Sequence, residues 1–600
     1  MQKTFLTVLI LDILFVSFLY ITLYSTFKAL RKPSVWKLTI IHTNDVHSRY
    51  DQINEATTDC TPEQFEKKQC YGGTARHKTV IDRLRRENKN SLLLDGGDEF
   101  QGSLFFTYYN GTISSKVMNL LEYNITAIGN HEFDEGPESL IAHHSRLNMP
   151  IVCANINTTL NPLLGANIKP YHIFEEYNLG VIGYITETTG GISNGGPTLE
   201  FYDPIPIVQQ YVNEIRAMGI KRILTVSHNG YGPDIELAAK TYGVAVHVGG
   251  HSHTLLSNDT TSKDYHLALG PYPTTVKNAI GEDTLIVQAF WSGKYIGHLD
   301  VSFDEEGKVV EYSGAPILVD QSIPQDPEIT KLIKQWREPF DNYTKTVIGK
   351  AVAPFDERSC QKTECTMGNL ISDSFLWSQR KINKVDAAFI NSGGIRAGLM
   401  EGNITLENII TILPFTSSLV ILDLNGQNIT DLLETTTGKW KNIISGKKVT
   451  SFIQVSGIRF KYDSSKPIFN RVLEVNIQNH DTEVFEPLDL KKTYKIVTVD
   501  FVANTGDGLL PYPIQDLIPL DSPDRVLTNY IQDKKTIKPY LDGRIQDVAP
   551  NTNIHSTISP HEPIHFSYFD NDKISGESVE IKMEDNIKPD RQIVFKIAGL

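Results

Sequence analysis

The chain has 600 residues, a formal net charge of −14 at pH 7, 40% hydrophobic residues and 21% charged residues. This composition is typical of a soluble globular protein, and the length exceeds what one hydrophobic core supports, so at least two domains are expected. The acidic balance argues against a nucleic acid as partner, because binding to a phosphate backbone depends on clustered basic groups. A small anionic ligand remains compatible with it, since the charge of the rest of the protein is screened over about 8 Å.

The N-terminal segment from Phe5 to Phe27 is almost wholly apolar and follows a short region that holds Lys3. This pattern is typical of a secretory signal, so we expect residues 1–30 to be a signal peptide and the protein to be secreted. The length of the segment also allows an uncleaved signal anchor that would leave the protein membrane-bound. The last ten residues are too few and too charged for the tail of a GPI signal, so no GPI anchor is predicted.

Several apolar runs in the first half of the chain read as strands, and each ends in a polar motif. In chain order the motifs are His42-Thr-Asn-Asp-Val-His47, Gly96-Gly-Asp98, Gly129-Asn-His-Glu-Phe-Asp134, His228 and Gly250-His-Ser-His253. Open α/β sheets place their sites beyond the carboxyl ends of strands, so these motifs are expected to converge. A mixed set of Asp, Asn and His around two divalent cations is typical of phosphohydrolases. The sequence therefore predicts a dinuclear metal site that transfers a phosphoryl group to water.

These motifs resemble those of the 5′-nucleotidase/apyrase family of calcineurin-like metallophosphatases, over about residues 38 to 545. The resemblance implies a four-layer α/β/β/α metallophosphatase domain joined by a helix to a smaller α/β nucleotide-binding domain. We expect the metallophosphatase domain over 36–325, a linker helix over 326–345, the nucleotide-binding domain over 346–548 and a polar extension over 549–600.

The same resemblance implies a set of metal ligands. One cation would be held by Asp45, His47 and His253, the other by Asn130, His228 and His251, and Asp98 would bridge the two. His253 stands where some family members carry Asn or Gln. Zinc is the expected metal, with calcium, magnesium and manganese as alternatives.

His131 and Asp134 are three residues apart, close enough on one turn for the carboxylate to orient the imidazole. The imidazole would then donate to the transferring phosphoryl group or to the leaving oxygen. The family resemblance implies the same role, stabilisation of the transition state, for this pair.

The motifs of the second half resemble the nucleotide-binding domain of the family. The resemblance places Phe415 and Phe501 on the two faces of a nucleobase, Asp507 on the ribose hydroxyls, and Asn391 and Arg396 on phosphate or ribose. Stacking between two rings tolerates different bases, so broad base specificity is expected. The predicted partners are the nucleotides ATP, ADP and AMP.

One position departs from the family pattern. Nucleotidases of the family carry Arg directly after the first Cys of the Cys360–Cys365 loop, whereas this chain has Gln361, followed by Lys362. Because Gln carries no charge, we expect weaker binding of a monophosphate and favour an apyrase that converts ATP and ADP to AMP and phosphate, with substitution of the missing charge by Lys362 as the alternative. The alternative within the family is an AMP 5′-nucleotidase that produces adenosine. An alternative of another class is a catalytically weak nucleotide scavenger or adhesion-blocking protein.

The cysteines and the glycosylation sequons fit a secreted glycoprotein. We expect disulfides Cys60–Cys70 and Cys360–Cys365, while Cys153 reads as a buried free thiol. The sequence leaves open whether the protein is a monomer or a homodimer. The sequons begin at Asn110, Asn124, Asn157, Asn258, Asn342, Asn403 and Asn428.

Overall fold

The structure is a computed structural model that describes part of the chain. It describes residues 35–550 except Thr416, Trp440, Ile443, Lys447, Gln515, Asp516, Ile518 and Pro519, and except the side chains of Asn342 and Tyr343. The predicted signal segment and nearly all of the predicted polar extension lie outside the described residues. Within the described part, no helix combines the length and the apolar character needed to cross a bilayer.

The first domain is built from two β-sheets and the helices that cover them. Its strands are β1 (Trp36–Thr43), β2 (Ser91–Asp95), β3 (Ile125–Ala127), β4 (Ile151–Val152), β5 (Ile156–Asn157), β6 (Ile168–Lys169), β7 (Tyr171–Phe174), β8 (Leu179–Ile185), β9 (Glu200–Phe201), β10 (Arg222–His228), β11 (Val246–Val248), β12 (Leu255–Leu256), β13 (Ala268–Gly270), β14 (Thr274–Lys277), β15 (Asp283–Val287), β16 (Tyr295–Phe303), β17 (Val309–Gly314) and β18 (Ile317–Leu318). Its helices are α1 (Pro62–Glu66), α2 (Thr74–Glu87), α3 (Leu104–Tyr109), α4 (Gly111–Leu121), α5 (Gly136–His144), α6 (Pro162–Gly165), α7 (Thr189–Ile192), α8 (Pro204–Ala217) and α9 (Tyr231–Lys240).

The strand order brings the ends of the central strands to one edge of each sheet. One sheet has the order β17-β16-β1-β2-β3-β4-β6, with β18 also beside β16, and the other has the order β14-β15-β11-β10-β8-β7. Strands β1 to β4 are parallel in the first sheet, and β8, β10, β11 and β15 are parallel in the second. The carboxyl ends of such strands share one edge, where open α/β sheets bind their ligands.

The layers follow from strands that are buried on both faces. In β2, Leu92 and Leu94 pack between the two sheets, whereas Leu93 packs against the outer helices α2 and α4. Successive side chains of a strand point to opposite faces, so a strand covered on both sides reads as a continuous apolar run. Helix α8 covers the other sheet through Val208 and Val212. The result is the predicted four-layer α/β/β/α arrangement.

A long helix, α10 (Pro327–Thr344), follows the first domain at the position predicted for the linker. The carboxylate of Asp326 accepts hydrogen bonds from the backbone N–H groups of Glu328 and Ile329, which caps its first turn. Helix α10 contacts α2 and α3 of the first domain and a helix of the second. The Arg337 side chain of α10 binds Glu407 of the second domain at 2.7 Å. The helix therefore packs on both domains.

The second domain has one continuous apolar core. Its sheets have the orders β22-β27-β20-β23, β26-β25-β24-β29 and β21-β19-β28. The strands are β19 (Val347–Ala351), β20 (Ala387–Asn391), β21 (Gly402–Thr405), β22 (Leu419–Asn425), β23 (Ile453–Ser456), β24 (Ile458–Tyr462), β25 (Val472–Gln478), β26 (Phe485–Pro487), β27 (Thr493–Val499), β28 (Thr536–Ile537) and β29 (Ile545–Asp547). The helices are α11 (Thr366–Asn383), α12 (Leu406–Ile412), α13 (Gly426–Gly438), α14 (Asp500–Ala503) and α15 (Pro523–Lys534).

The disulfides Cys60–Cys70 and Cys360–Cys365 are both present in the structure. Cys153 is buried and free. Cys365 also caps α11, because its sulfur accepts a hydrogen bond from the backbone N–H of Gly368 at 3.1 Å.

Candidate active site

The predicted metal ligands lie on tight turns that follow the parallel strands. Asp45, His47, Asp98, His251 and His253 all have positive φ angles, between 52° and 74°. This left-handed backbone is unfavourable for residues other than glycine and is concentrated at functional sites. The turns direct these side chains back over the edge shared by the strand ends.

Hydrogen bonds donated by backbone N–H groups join the loops that carry the predicted ligands. The N–H of His47 donates to the carbonyl of Asp98 at 3.0 Å, which joins the loops after β1 and β2. The Glu132 carboxylate accepts from the N–H groups of Asp98 at 3.0 Å and Gly129 at 2.6 Å, which joins the loops after β2 and β3. Sequence analysis did not single out Glu132, although it lies within the Gly129–Asp134 motif.

The predicted ligands form two groups. The ligand atoms of Asp45, His47 and His253 lie within 4.8 Å of one another, as do those of Asp98, His228 and His251. The first group has the composition of one predicted ligand set, and the second holds His228 and His251 of the other set together with Asp98.

Asp98 lies between the two groups. Its Oδ2 is 3.0 Å from Nε2 of His228 and 3.8 Å from Nε2 of His47. This is the position expected of a bridging carboxylate.

The donor atoms of these residues suit divalent cations. Nδ1 of His47 lies 3.0 Å from the carbonyl of Phe100, which can only accept, so Nδ1 carries the proton and Nε2 presents a lone pair to the group. The buried Oδ1 of Asn130 has no hydrogen-bond partner within the described part of the chain. An orphaned amide oxygen beside imidazole and carboxylate groups is what a cation site requires.

The electrostatics of the site favour ionised carboxylates. Burial alone would raise the pKa of Asp98, but His228, His131 and His47 hold it well below its usual range. Burial, followed by the charge of His228, lowers the pKa of His251 to about 3. Ligands in these states bind cations directly.

His228 is the exception among these ligands. Burial lowers its pKa, but Asp98 and Asp45 outweigh burial and raise it to about 10. A cation held at His228 therefore displaces a proton, which makes metal binding dependent on pH.

His131 and Asp134 form the predicted pair. Nδ1 of His131 lies 2.6 Å from Oδ2 of Asp134, which turns Nε2 toward Asp98, whose Oδ2 is 4.0 Å away. Burial lowers the pKa of His131, but Asp134 and Asp98 together raise it above its usual value. The His131 imidazole also lies within 4.8 Å of ligand atoms of His47 and Asp98.

The second domain contributes two side chains directly to this region. Nη2 of Arg396 lies 3.1 Å from Nε2 of His47. The ring of Phe415 stacks on that of His131, with centroids 5.6 Å apart and planes at 23°. Arg396 and Phe415, two of the predicted substrate-binding residues, therefore lie next to the predicted metal ligands and His131.

Asn391 and Asp507 are hydrogen-bonded to each other at 2.7 Å, and the Thr450 hydroxyl donates to the other oxygen of Asp507 at 2.7 Å. Phe501 lies over Gly506, where an added Cβ would come within 2.4 Å of the ring, so that only glycine fits. A cavity of about 1020 Å³ is lined by predicted residues from both domains: Asp98, Asn130, His131, Asp134, His251, His253, Asn391, Arg396, Phe415, Phe501 and Asp507. Asp45, His47 and His228 are more deeply buried.

Known proteins of similar sequence share both halves of this arrangement. The profile of calcineurin-like phosphoesterases matches residues 38–255, and that of the 5′-nucleotidase C-terminal domain matches residues 344–514. A 5′-nucleotidase of Bos taurus is 37% identical over 533 residues, which is 85% of this chain and 91% of that protein. The chain belongs to the 5′-nucleotidase family.

Other members of the family agree with this assignment. A 5′-nucleotidase of Homo sapiens is 35% identical over 546 residues, covering 87% of this chain and 93% of that protein. The crystal structure of a 5′-nucleotidase precursor from Thermus thermophilus has 35% sequence identity and a TM-score of 0.78, and the match covers 86% of this chain and 100% of that chain. The protein is a metal-dependent nucleotide phosphohydrolase.

Some residues around the site of this protein lie outside the sequence motifs. The indole of Trp291 stacks on the His253 ring, with centroids 4.6 Å apart and planes at 8°. Asp134 is contacted by Ser193 at 2.8 Å and by Gln101 at 3.4 Å. The only sequence signal for Ser193 is the glycine-rich run around it, which indicates a loop but not its place at the site.

The structure places a positively charged side chain beside Gln361, the position where the family pattern has Arg. Gln361 lines the cavity, and its side-chain oxygen accepts a hydrogen bond from Nζ of Lys439 at 3.2 Å. Lys439 also donates to the backbone carbonyl of Gln361. Burial lowers the pKa of Lys439 to about 8, so most of this side chain is protonated at pH 7 and brings a positive charge to Gln361 from a distant part of the sequence.

Proposed function

We propose that this protein is a secreted 5′-nucleotidase that hydrolyses AMP and similar nucleoside monophosphates to nucleoside and phosphate. The observation that carries the proposal is the contact between Lys439 and Gln361. The sequence-based preference for an apyrase rested on the charge missing at Gln361 and on secretion without a C-terminal lipid signal, and the Lys439 contact removes the first of these grounds. The similar proteins described above are named 5′-nucleotidases, which also favours this alternative over the apyrase.

We assign the predicted ligands to two cation sites. The first comprises Asp45, His47 and His253, and Asp98 is shared. The second comprises His228 and His251, together with Asn130, whose buried Oδ1 has no hydrogen-bond partner in the described part of the chain. The high share of imidazole favours zinc over calcium or magnesium. Two such cations, when bound, lower the pKa of a water molecule and neutralise charge on the phosphoryl oxygens.

The chain's own residues then bind the substrate and move a proton. Asp134 orients His131 so that Nε2 faces the cavity and donates to the leaving oxygen. The 5′-oxygen of ribose is a poor leaving group and needs this proton more than a phosphate leaving group does. Arg396 is suited to bind the phosphoryl group, because its planar guanidinium can donate two parallel hydrogen bonds to phosphate oxygens.

The second domain holds the nucleoside in this proposal. Phe501 and Phe415 contact the base. Asp507 accepts hydrogen bonds from the ribose hydroxyls, and Asn391 contacts the phosphate or the ribose. We also propose that the domains follow the predicted boundaries, 36–325 and 346–548, because α10 spans Pro327–Thr344 between them.

The test uses the full-length protein with zinc and compares AMP, ADP and ATP in parallel, with phosphate measured and nucleoside products resolved by chromatography. We expect kcat/KM for AMP to exceed that for ADP and ATP at least about tenfold, a difference of about 1.4 kcal/mol in the transition state. Asp98→Asn is the inactive control. Faster hydrolysis of ATP and ADP with AMP as the end product would establish the apyrase instead, and nucleotide binding without turnover would establish the scavenger.

A further inference from the structure

We propose that Ser193 is a positioning residue for the reaction: it fixes the Asp134 carboxylate, which in turn aims the His131 imidazole. The inference rests on the proposed function for the roles of His131 and Asp134. It extends that function to a loop, residues 190–197, which we call the arm.

The contacts of Asp134 show why a second anchor is needed. One carboxylate oxygen, Oδ2, accepts from Nδ1 of His131 at 2.6 Å, and the other, Oδ1, accepts from Oγ of Ser193 at 2.8 Å. The terminal torsion of an aspartate side chain is broad, so one hydrogen bond alone leaves the carboxylate plane free to turn. The Ser193 hydroxyl restricts that rotation, and with it the direction in which Nε2 of His131 points.

Gln101 is a weaker anchor than Ser193. Its side-chain nitrogen lies 3.4 Å from Oδ2 of Asp134, the oxygen that His131 already occupies. At that distance a hydrogen bond is at the limit of useful geometry. Ser193 is therefore the residue that decides the orientation of Asp134.

The arm that carries Ser193 is built for backbone freedom. A Cβ added at Gly191 would meet no atom within 4 Å, and its φ is not in the left-handed region, so neither packing nor conformation requires glycine there. Glycine at such a position increases the number of accessible backbone conformations. Ser193 itself is extended, with φ −153° and ψ 176°.

The arm also touches the nucleoside side of the cavity. Helix α7, which leads into Ser193, packs beside the Gly506–Gly508 turn that holds Asp507. Glu187, just before α7, lies 3.9 Å from Lys448 of the second domain. A nucleoside that orders this turn therefore supports the arm, and Ser193 contributes more to nucleotide hydrolysis than to hydrolysis of a base-free ester.

The experiment measures kcat and KM of the zinc-loaded full-length protein with AMP and with phenyl phosphate. Ser193→Ala should lower kcat for AMP about tenfold with KM within about twofold, because it removes a hydrogen bond to a charged group. The fall with phenyl phosphate should be smaller, because phenolate is a better leaving group than the ribose 5′-oxygen and needs the His131 proton less. Ser193→Thr keeps the hydroxyl on an extended backbone that suits a β-branched residue, so activity should stay within about threefold of the wild type.

A matched control lies away from the cavity. The hydroxyl of Ser322 donates to Asp320 at 2.6 Å, so Ser322→Ala removes the same kind of hydrogen bond. It should leave kcat unchanged. Zinc content and thermal stability of Ser193→Ala should match those of the wild type.

A double-mutant cycle separates positioning from a merely structural role. If Ser193 acts through Asp134, Ser193→Ala causes no further loss of kcat in an Asp134→Ala background. Additive losses, equal damage in Ser193→Ala and Ser193→Thr, or loss of zinc would overturn the inference. An unchanged kcat in Ser193→Ala alongside an inactive His131→Ala would overturn it while the proposed function stands. Absence of nucleotide hydrolysis by the wild type would instead refute the proposed function.

Discussion

Nη2 of Arg396 lies 3.1 Å from Nε2 of His47, which brings a guanidinium of the second domain against an imidazole of the first. Nε2 of His47 is the atom assigned to a cation, so Arg396 and that cation draw on the same lone pair. A cation held by His47 would replace this contact and would leave the Arg396 donors available to a phosphoryl group. The active site is therefore completed by both domains.

The assignment of Asp98 as the shared ligand predicts the behaviour of Asp98→Ala. We expect loss of turnover together with release of both metals, because the substitution removes an oxygen donor that lies between the two groups. Metal analysis and phosphate release from AMP check this. Two retained metals with nearly normal hydrolysis would show that Asp98 is not the shared ligand. Ser322→Ala, purified in the same way, is the control for metal loss during preparation.

His131→Ala should lower kcat for AMP by roughly 10²–10⁴ without changing metal content, as expected for one proton donor in the transition state. Asp134→Asn should reduce kcat less, because the amide oxygen still accepts from Nδ1 of His131. Loss of a metal in His131→Ala would make His131 a ligand, an outcome that its distance from Asp98 and His47 allows.

The two aromatic residues should differ when truncated. Phe501→Ala should raise KM for AMP by the equivalent of about 1–3 kcal/mol and leave phenyl phosphate hydrolysis nearly unchanged, since Phe501 contacts the base and the Gly506 turn on the nucleoside side of the cavity. Phe415→Ala should impair both substrates, because Phe415 also packs on His131. Steady-state kinetics with the two substrates decide this. Identical effects of the two variants would contradict separate roles.

The contact between Lys439 and Gln361 predicts opposite effects of two substitutions. Lys439→Gln should lower kcat/KM for AMP about tenfold relative to ADP, because it removes the charge beside Gln361. Gln361→Arg should restore AMP hydrolysis in the Lys439→Gln background, since a guanidinium forms a bidentate pair of hydrogen bonds with a monophosphate. An AMP-to-ADP ratio that neither variant alters would separate this contact from substrate selection.

A buried charge cluster between the domains predicts a dependence of stability on pH. Burial, reinforced by the carboxylate of Asp59, raises the pKa of Glu407 to about 9, and Arg337 only partly offsets this. In the unfolded chain Glu407 titrates at about 4.3. The folded state therefore keeps a proton that the unfolded state releases, so this contribution is present below about pH 4 and is lost progressively up to about pH 9.

Glu407→Gln removes that titration while keeping a side chain of the same shape. Its free energy of unfolding should fall less between pH 6 and pH 9 than that of the wild type, by at most about 1.4 kcal/mol per pH unit. Denaturant titration at several pH values measures the difference, and parallel curves for the two proteins would contradict it.

The sequence by itself determined much of the architecture, because local patterns decide it. Strands buried on both faces appear as apolar runs, so the ends that carry Asp45, Asp98 and His228 were predictable. The parallel pairing of those strands then brings the side chains to one edge. The linker helix, predicted over 326–345 and observed at Pro327–Thr344, follows from its apolar spacing.

Only the tertiary structure decided which residues support these groups. Ser193 reaches Asp134 across 59 residues of sequence, and Lys439 reaches Gln361 across 78. Ser193 lies in a glycine-rich segment and Lys439 at the C-terminal end of α13, and no local pattern indicates which distant residue either of them contacts. Their positions depend on how loops from separate elements and from two domains pack over the strand ends, which is a property of the whole fold.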